Sequence, residues 1–166
     1  MNYCMHSTIR KATEKDFYAI LELVKGLAIF QNCVEKVNNT VEQMLEEKDL
    51  FNCFVAENEH KEIVGIASYF FAYYTWVGKS LYLDDLYVKE SHRGQKIGSE
   101  LLKQIFEVAK NENCKRVRWQ VSDWNKQALQ FYKRCGAEID EECCNCDFDA
   151  KGIKELKYKI VEQRSS

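Results

Sequence analysis

Along the chain, apolar residues recur at two periods, roughly 3.6 and 2, and the switches between them mark out the elements. Thr8–Ala12 reads as a first strand. Thr13 stands three residues before Asp16, a capping-box-like start for a helix whose Phe17, Ile20, Leu21, Val24, Leu27 and Ala28 form one apolar stripe. Gln31–Asn39 is polar and irregular, a loop, and Thr40 caps a second short helix reaching about Lys48. Phe51–Glu57 and Ile63–Tyr73 are rich in β-branched and aromatic residues and are split by the polar Asn58–Glu62. They predict an antiparallel hairpin. Gly78 marks a turn before a strand over Ser80–Val88. Ile97, Leu101, Leu102, Ile105, Val108 and Ala109 give the core side of a helix from about Lys96 to Lys110. Arg116–Val121 reads as a strand and Lys126–Arg134 as a helix stopped by Gly136. Ala137–Phe148 and Ile153–Ile160 are expected to close the chain as strands. The order β-α-α-β-β-β-α-β-α-β-β predicts an α/β (α+β) fold, a mixed, mostly antiparallel twisted sheet with helices on both faces.

No repeat, linker or proline interrupts the 166 residues, so a single domain over 1–166 is expected, its core about 8–160. An apolar fraction of 46% and an aromatic fraction of 13% are enough for a core without staples. Twenty-four basic and 26 acidic residues are interspersed, for a net charge of -2, which argues against nucleic acid as a partner. Lys115, Arg116 and Arg118 alternate with Val117, Trp119 and Val121, as on a strand with one solvated face. No stretch approaches the ~20 apolar residues of a membrane span, and Met1–Arg10 holds no apolar run. A cytoplasmic protein is expected, with its eight cysteines as free thiols. Cys143, Cys144 and Cys146 match no paired metal spacing, and His6, His60 and His92 lie far from them in sequence, so no metal is expected.

Candidate chemistry gathers around the segment Val88–Gly98, where a strand meets a helix. Gly94 and Gly98 permit a tight turn that exposes consecutive N–H groups at a helix N-terminus, an arrangement suited to a pyrophosphate. Here the chain resembles the Gcn5-related N-acetyltransferases, whose signature runs Arg/Gln, two residues, Gly, one residue, Gly/Ala. Arg93 and Gly98 match its ends, whereas Lys96 takes the place of the first glycine and must adopt that backbone with a Cβ. A second segment, Asn125 with Ala128, Phe131-Tyr132 and Gly136-Ala137, is similar to the family's later helix. The resemblance covers roughly Thr8 to Ile160.

The resemblance implies acetyl-CoA as co-substrate, its pantetheine lying along Leu86, Tyr87 and Val88. Its pyrophosphate would rest on the amides of Arg93, Gly94, Gln95, Lys96, Ile97 and Gly98, with Ser99 just after, and Asn125 would bond the cofactor arm. Tyr132 would protonate the leaving thiolate. The run Trp76–Asp85 is similar to a segment of the spermidine/spermine and thialysine acetyltransferases, which implies Asp84 as proton acceptor or substrate anchor and Trp76, Asp85 and Glu35 as substrate contacts. Alternation sets Asp84 on one strand face with Tyr82 and Leu86, and Asp85 on the other with Leu83 and Tyr87. Gln31 and Tyr74 replace carboxylates of those enzymes, so a diamine or lysine-like amino acid is as good an expectation as spermidine. Acetylation of protein lysines or N-termini, and a non-catalytic acyl-CoA-binding domain, stay open as alternatives. Family analogy implies a homodimer.

Overall fold

Thr13 follows the first strand, and both its backbone N–H and its hydroxyl donate to Asp16 Oδ2, at 2.7 and 3.0 Å. In the computed structural model this turn, Glu14–Asp16, winds as a 3-10 helix straight into α1, Phe17–Phe30. The structure describes residues 7–141, 146, 147 and 149–155, and the chain divides into two units, residues 1–120 and 121–166.

The first unit holds an open five-stranded sheet in the order β1 (Thr8–Lys11), β2 (Asn52–Glu57), β3 (Ile63–Tyr74), β4 (Gly78–Val88), β5 (Arg116–Arg118). The first three pairings are antiparallel and β4 pairs β5 in parallel. On one face Val55, Ile63 and Ile66 bury against Phe17, Ile20, Leu21 and Leu23 of α1 and Met44 of α2 (Val41–Glu46). Full burial of each such side chain contributes about 1.5–3 kcal/mol. Thr40 caps α2, accepting from Gln43 N at 3.1 Å. The opposite face carries Gly65, where a Cβ would stand 3.2 Å from Leu101 Cδ1 and 3.3 Å from Ile97 Cγ2. That close approach seats α3, Ile97–Asn111, whose Ile97, Leu101, Leu102, Ile105 and Ala109 are buried as the periodicity predicts. Helices on both faces of a mixed sheet follow from these two apolar surfaces.

In the second unit α4, Lys126–Arg134, is capped by Asn125, whose side chain accepts from Ala128 N at 3.1 Å. It stops where the sequence predicts: Gly136 takes φ +89, and Ala137 N donates back to Tyr132 O at 3.0 Å.

Three expectations are corrected. β5 ends at Arg118, short of Val121, because its pairing with β4 stops at Tyr82, just ahead of an irregularity in that strand. Residues 137–141 form no regular element, so the strand expected over Ala137–Phe148 is not found there. Ile153 lies in α5, Ala150–Glu155, where Ala, Lys and Glu favour a helix over the strand suggested by one β-branched residue. The remainder of those two spans, 142–145, 148 and 156–160, falls outside the described residues.

Candidate functional site

Ser68 of β3 pairs with Asp85 of β4, and Tyr69 pairs with Leu83, which leaves Asp84 as an extra residue with no partner across the ladder. This is a β-bulge, and it resets the alternation of the strand. Asp85 therefore shares a face with Tyr82, opposite Phe70, and with Tyr87, opposite Ile66. Leu83 and Leu86 lie on the other face, so the expected grouping of Asp85 with Leu83 is overturned. Asp84 projects at the bulge and stays exposed.

Beyond Tyr82, β4 has no strand on its second side among the described residues. Asp85 N is taken up by Ser68 Oγ and Lys89 N by Val64 O, both toward β3. Alternation then turns the amides of Leu86 and Val88 to the free edge, where they offer a ladder to any extended, amide-bearing chain. At the strand's end Arg93 Nε donates to Val88 O at 3.1 Å, and its guanidinium lies 5.1 Å from the Phe30 ring and 5.6 Å from the Tyr87 ring. Tyr87 in turn packs on α1 at Gly26, where a Cβ would meet its hydroxyl at 3.1 Å. Arg93 thus ties the loop to β4 and to the end of α1, a role its motif position did not disclose.

The loop itself turns through Gly94 (φ +78) and Lys96 (φ +65, ψ 3). Lys96 is the N-cap of α3 and sits in the left-handed region, the conformation that a glycine adopts freely and a lysine holds at about 1 kcal/mol of strain. The first intrahelical bond runs from Glu100 N to Lys96 O, so the amides of Ile97, Gly98 and Ser99 precede any helical acceptor. Gln95 Oε1 is buried without a hydrogen-bond partner among the described residues. A helix start with unpaired amides, an orphaned acceptor and a free strand edge in continuous sequence fit a ligand that carries both phosphate and an extended amide arm.

Burial, and next the nearby charge of Asp84, push the Asp85 carboxyl up to about 6, while a hydrogen bond from Ser68 opposes the rise. Partial desolvation raises Asp84 as well. The residue pattern did not single out Ser68; the available signal was a small polar residue alone in the apolar run Ile63–Phe71.

Trp76 sits in the β3–β4 turn, 98% exposed. Six residues of strand separate Gly78 from Asp84, about 20 Å, so one chain does not bring Trp76 to the carboxylates. Glu35 lies in an exposed 3-10 turn, Val34–Lys36. In the second unit Asn125 commits its side-chain oxygen to capping α4 and has its Nδ2 to offer as donor. Tyr132 is buried, and burial pushes its phenol up to about 12. Among the described residues no three His, Cys, Asp or Glu side chains group to hold a metal, and no helix is long and apolar enough to cross a membrane. Cys33, Cys53, Cys114, Cys135 and Cys146 are free thiols, while Cys143 and Cys144 lie outside the described residues.

Known proteins share this architecture. The model of the acetyltransferase (GNAT) family matches residues 14–137. Thialysine N-epsilon-acetyltransferase of Bos taurus is 36% identical over 165 residues, covering 91% of this chain and 97% of that protein. Spermidine/spermine N(1)-acetyltransferase-like protein 1 of Homo sapiens is 34% identical over 139 residues, 78% of this chain and 20% of that protein. Among solved structures, a "predicted acetyltransferase with acetyl-CoA" from Clostridium acetobutylicum has a TM-score of 0.70 at 20% identity, over 86% of this chain and 96% of that one, and so shares the fold. With the family's match running across most of its length, the chain belongs to the acetyltransferase (GNAT) family, whose enzymes use acetyl-CoA, and is an N-acetyltransferase.

Proposed function

We propose that the chain transfers the acetyl group of acetyl-CoA to a primary amine of a small diamine, polyamine or lysine-like amino acid, by direct attack with both substrates bound. The observation that carries this reading is the β4 bulge, which sets two consecutive carboxylates at the head of a free strand edge. The relatives named for thialysine and spermidine/spermine supply the amine classes. In this reading Leu86, Tyr87 and Val88 bind the donor's extended arm, the amides from Arg93 to Ser99 hold its pyrophosphate, and Asn125 adds a hydrogen bond.

Acetyl-CoA supplies an activated thioester. An alkylammonium of pKa ~10.4 must shed a proton before it can attack. Asp85 anchors the ammonium, and Asp84, open to solvent at the bulge, takes the proton directly or through water. As the C–N bond forms and the C–S bond breaks, the departing thiolate takes a proton from Tyr132, which burial holds in its protonated form. Glu35 contributes a third carboxylate toward the far end of the amine. A role for Trp76 at this site requires a second copy of the chain, and the expected homodimer belongs to the proposal on that ground.

The test is incubation with acetyl-CoA and a panel of spermidine, spermine, putrescine, lysine, thialysine and a histone-tail peptide, with products read by mass spectrometry. The expected result is an acetylated small amine, abolished by Tyr132→Phe and strongly reduced by Asp84→Asn. Acetylated peptide alone would overturn the substrate class. A specificity constant for spermidine far above those for the shorter amines would overturn the parity with diamines and lysine-like substrates.

A further inference from the structure

Cys53, Ser68 and Asp85 form one row across β2, β3 and β4, on the face covered by α1. Ser68 is 7% exposed. At the bulge its hydroxyl replaces a main-chain acceptor: Asp85 N donates to Ser68 Oγ at 3.1 Å. Having accepted from that amide, the hydroxyl keeps its own proton to donate, and Ser68 acts on the Asp85 carboxyl against the effect of its burial. One small side chain thus holds the backbone of the residue after the bulge and sits across the ladder from it. An alanine there would leave the Asp85 amide without that acceptor and would remove a hydroxyl dipole facing the bulge.

We propose that Ser68 is a positioning residue for acetyl transfer: from the neighbouring strand its hydroxyl fixes the β4 bulge and, with it, the direction of the Asp85 carboxyl. This rests on the reading that Asp85 receives the amine. Within the first unit the groups that face Asp85 are few. Asp84 adjoins it on β4; Tyr87, with the Arg93 guanidinium 5.6 Å from its ring, shares its face, as do Tyr82 and, beside Tyr82 on β5, the cation Arg118. The Cys53 thiol stands two strands away, and burial keeps it protonated. α1 presents apolar Ile20 and Leu23 to the sheet, while its Glu22 and Lys25 pair with each other at 2.8 Å and Tyr18 is exposed. The first turn's Asp16 is held by Arg10. Ser68 is therefore the neutral donor that offsets the Asp84 charge.

The experiment compares the intact chain with Ser68→Ala, Ser68→Thr and Asp85→Asn. The Asp85 carboxyl is titrated by carbon-13 NMR of aspartate-labelled protein, with Asp85→Asn giving the assignment, and kcat/KM for the acetylated amine is followed from pH 5 to 9. In Ser68→Ala, loss of about one hydrogen bond should raise the Asp85 midpoint by roughly 0.5–1 pH unit and move the acid limb of kcat/KM by the same amount. Ser68→Thr, which keeps the hydroxyl, should restore both. An Asp85 midpoint unchanged in folded Ser68→Ala overturns the proposal. A midpoint that moves while the pH–rate profile stays, together with an active Asp85→Asn, means that the contact is real but Asp85 does not serve the amine. That outcome removes Ser68 from the reaction through failure of the site reading rather than of the Ser68 contact.

Discussion

Two clusters of carboxylates in the first unit are built from the same acidic residue types and behave in opposite ways. At the start of α1 the Arg10 guanidinium bridges Asp16 and Glu57, at 2.8 Å to each, and its hydrogen bond holds the Asp16 carboxyl down to about 2. At the β4 bulge Asp84 and Asp85 have no such ion pair among the described residues, and burial pushes Asp85 up to about 6. The first arrangement satisfies every charge it buries and ties β1, β2 and α1 together. The second leaves negative charge under-compensated beside a free strand edge, a state that an incoming ammonium relieves. A cation within hydrogen-bonding distance makes the structural cluster; among the described residues the candidate site has no such pair.

The largest effect that would break this contrast is kinetic. Asp85→Asn, like Asp84→Asn, is expected to lower kcat/KM by about a hundredfold or more, the usual scale of a proton-transfer or anchoring group. At the same time it should stabilise the fold at pH 7 by about 1–2 kcal/mol, because it removes a carboxylate ionised at a site that disfavours it. Steady-state kinetics and thermal unfolding of one variant read both, and a destabilised Asp85→Asn would place that residue with the structural cluster.

Arg10→Ala should do the reverse. Loss of the bridge is expected to destabilise the fold by about 2 kcal/mol, or roughly 4–8 °C in Tm. Its kcat/KM per folded molecule should be unchanged. An altered rate would show that the two clusters are coupled.

Acidification separates the two by sign. Asp16 is held below its unfolded value, so its contribution is present above about pH 4 and is lost as pH falls through 2. Asp85 is held above its unfolded value, so it favours the folded state below about pH 4, and this is lost as pH rises through 6. The Tm advantage of Asp85→Asn over the intact protein should therefore shrink between pH 6 and 4, while the deficit of Arg10→Ala should hold across that range. The rate should also fall as pH drops through about 6, where Asp85 takes up a proton.

The smallest effect lies in the phosphate loop. Lys96→Gly relieves a left-handed lysine and should stabilise the fold by about 0.5 kcal/mol, the strain removed less the backbone freedom added. Chemical denaturation is the measurement. A clear loss of stability would mean that the Lys96 side chain makes a compensating contact.

Much of the architecture was legible in the chain because its signals are local. The stripe from Phe17 to Ala28, the cap at Thr40 and the stop at Gly136 each act within a few residues, and each is found where expected. The late strands were not, since Ile153 is a single β-branched residue in a segment of helix formers. The site was half legible: its motif residues lie on the expected elements, but Ser68 and the cation–aromatic seat of Arg93 involve partners 17 and 63 residues away in sequence.

By itself, then, the sequence determined the periods, the caps, the glycine-marked turns and the adjacency of Asp84 and Asp85, all of which short-range sterics and hydrogen bonding decide. Only the tertiary structure decided which face each carboxylate occupies. A bulge exists only between two strands, and one unpaired residue in β4 inverts a parity that the order of residues cannot express.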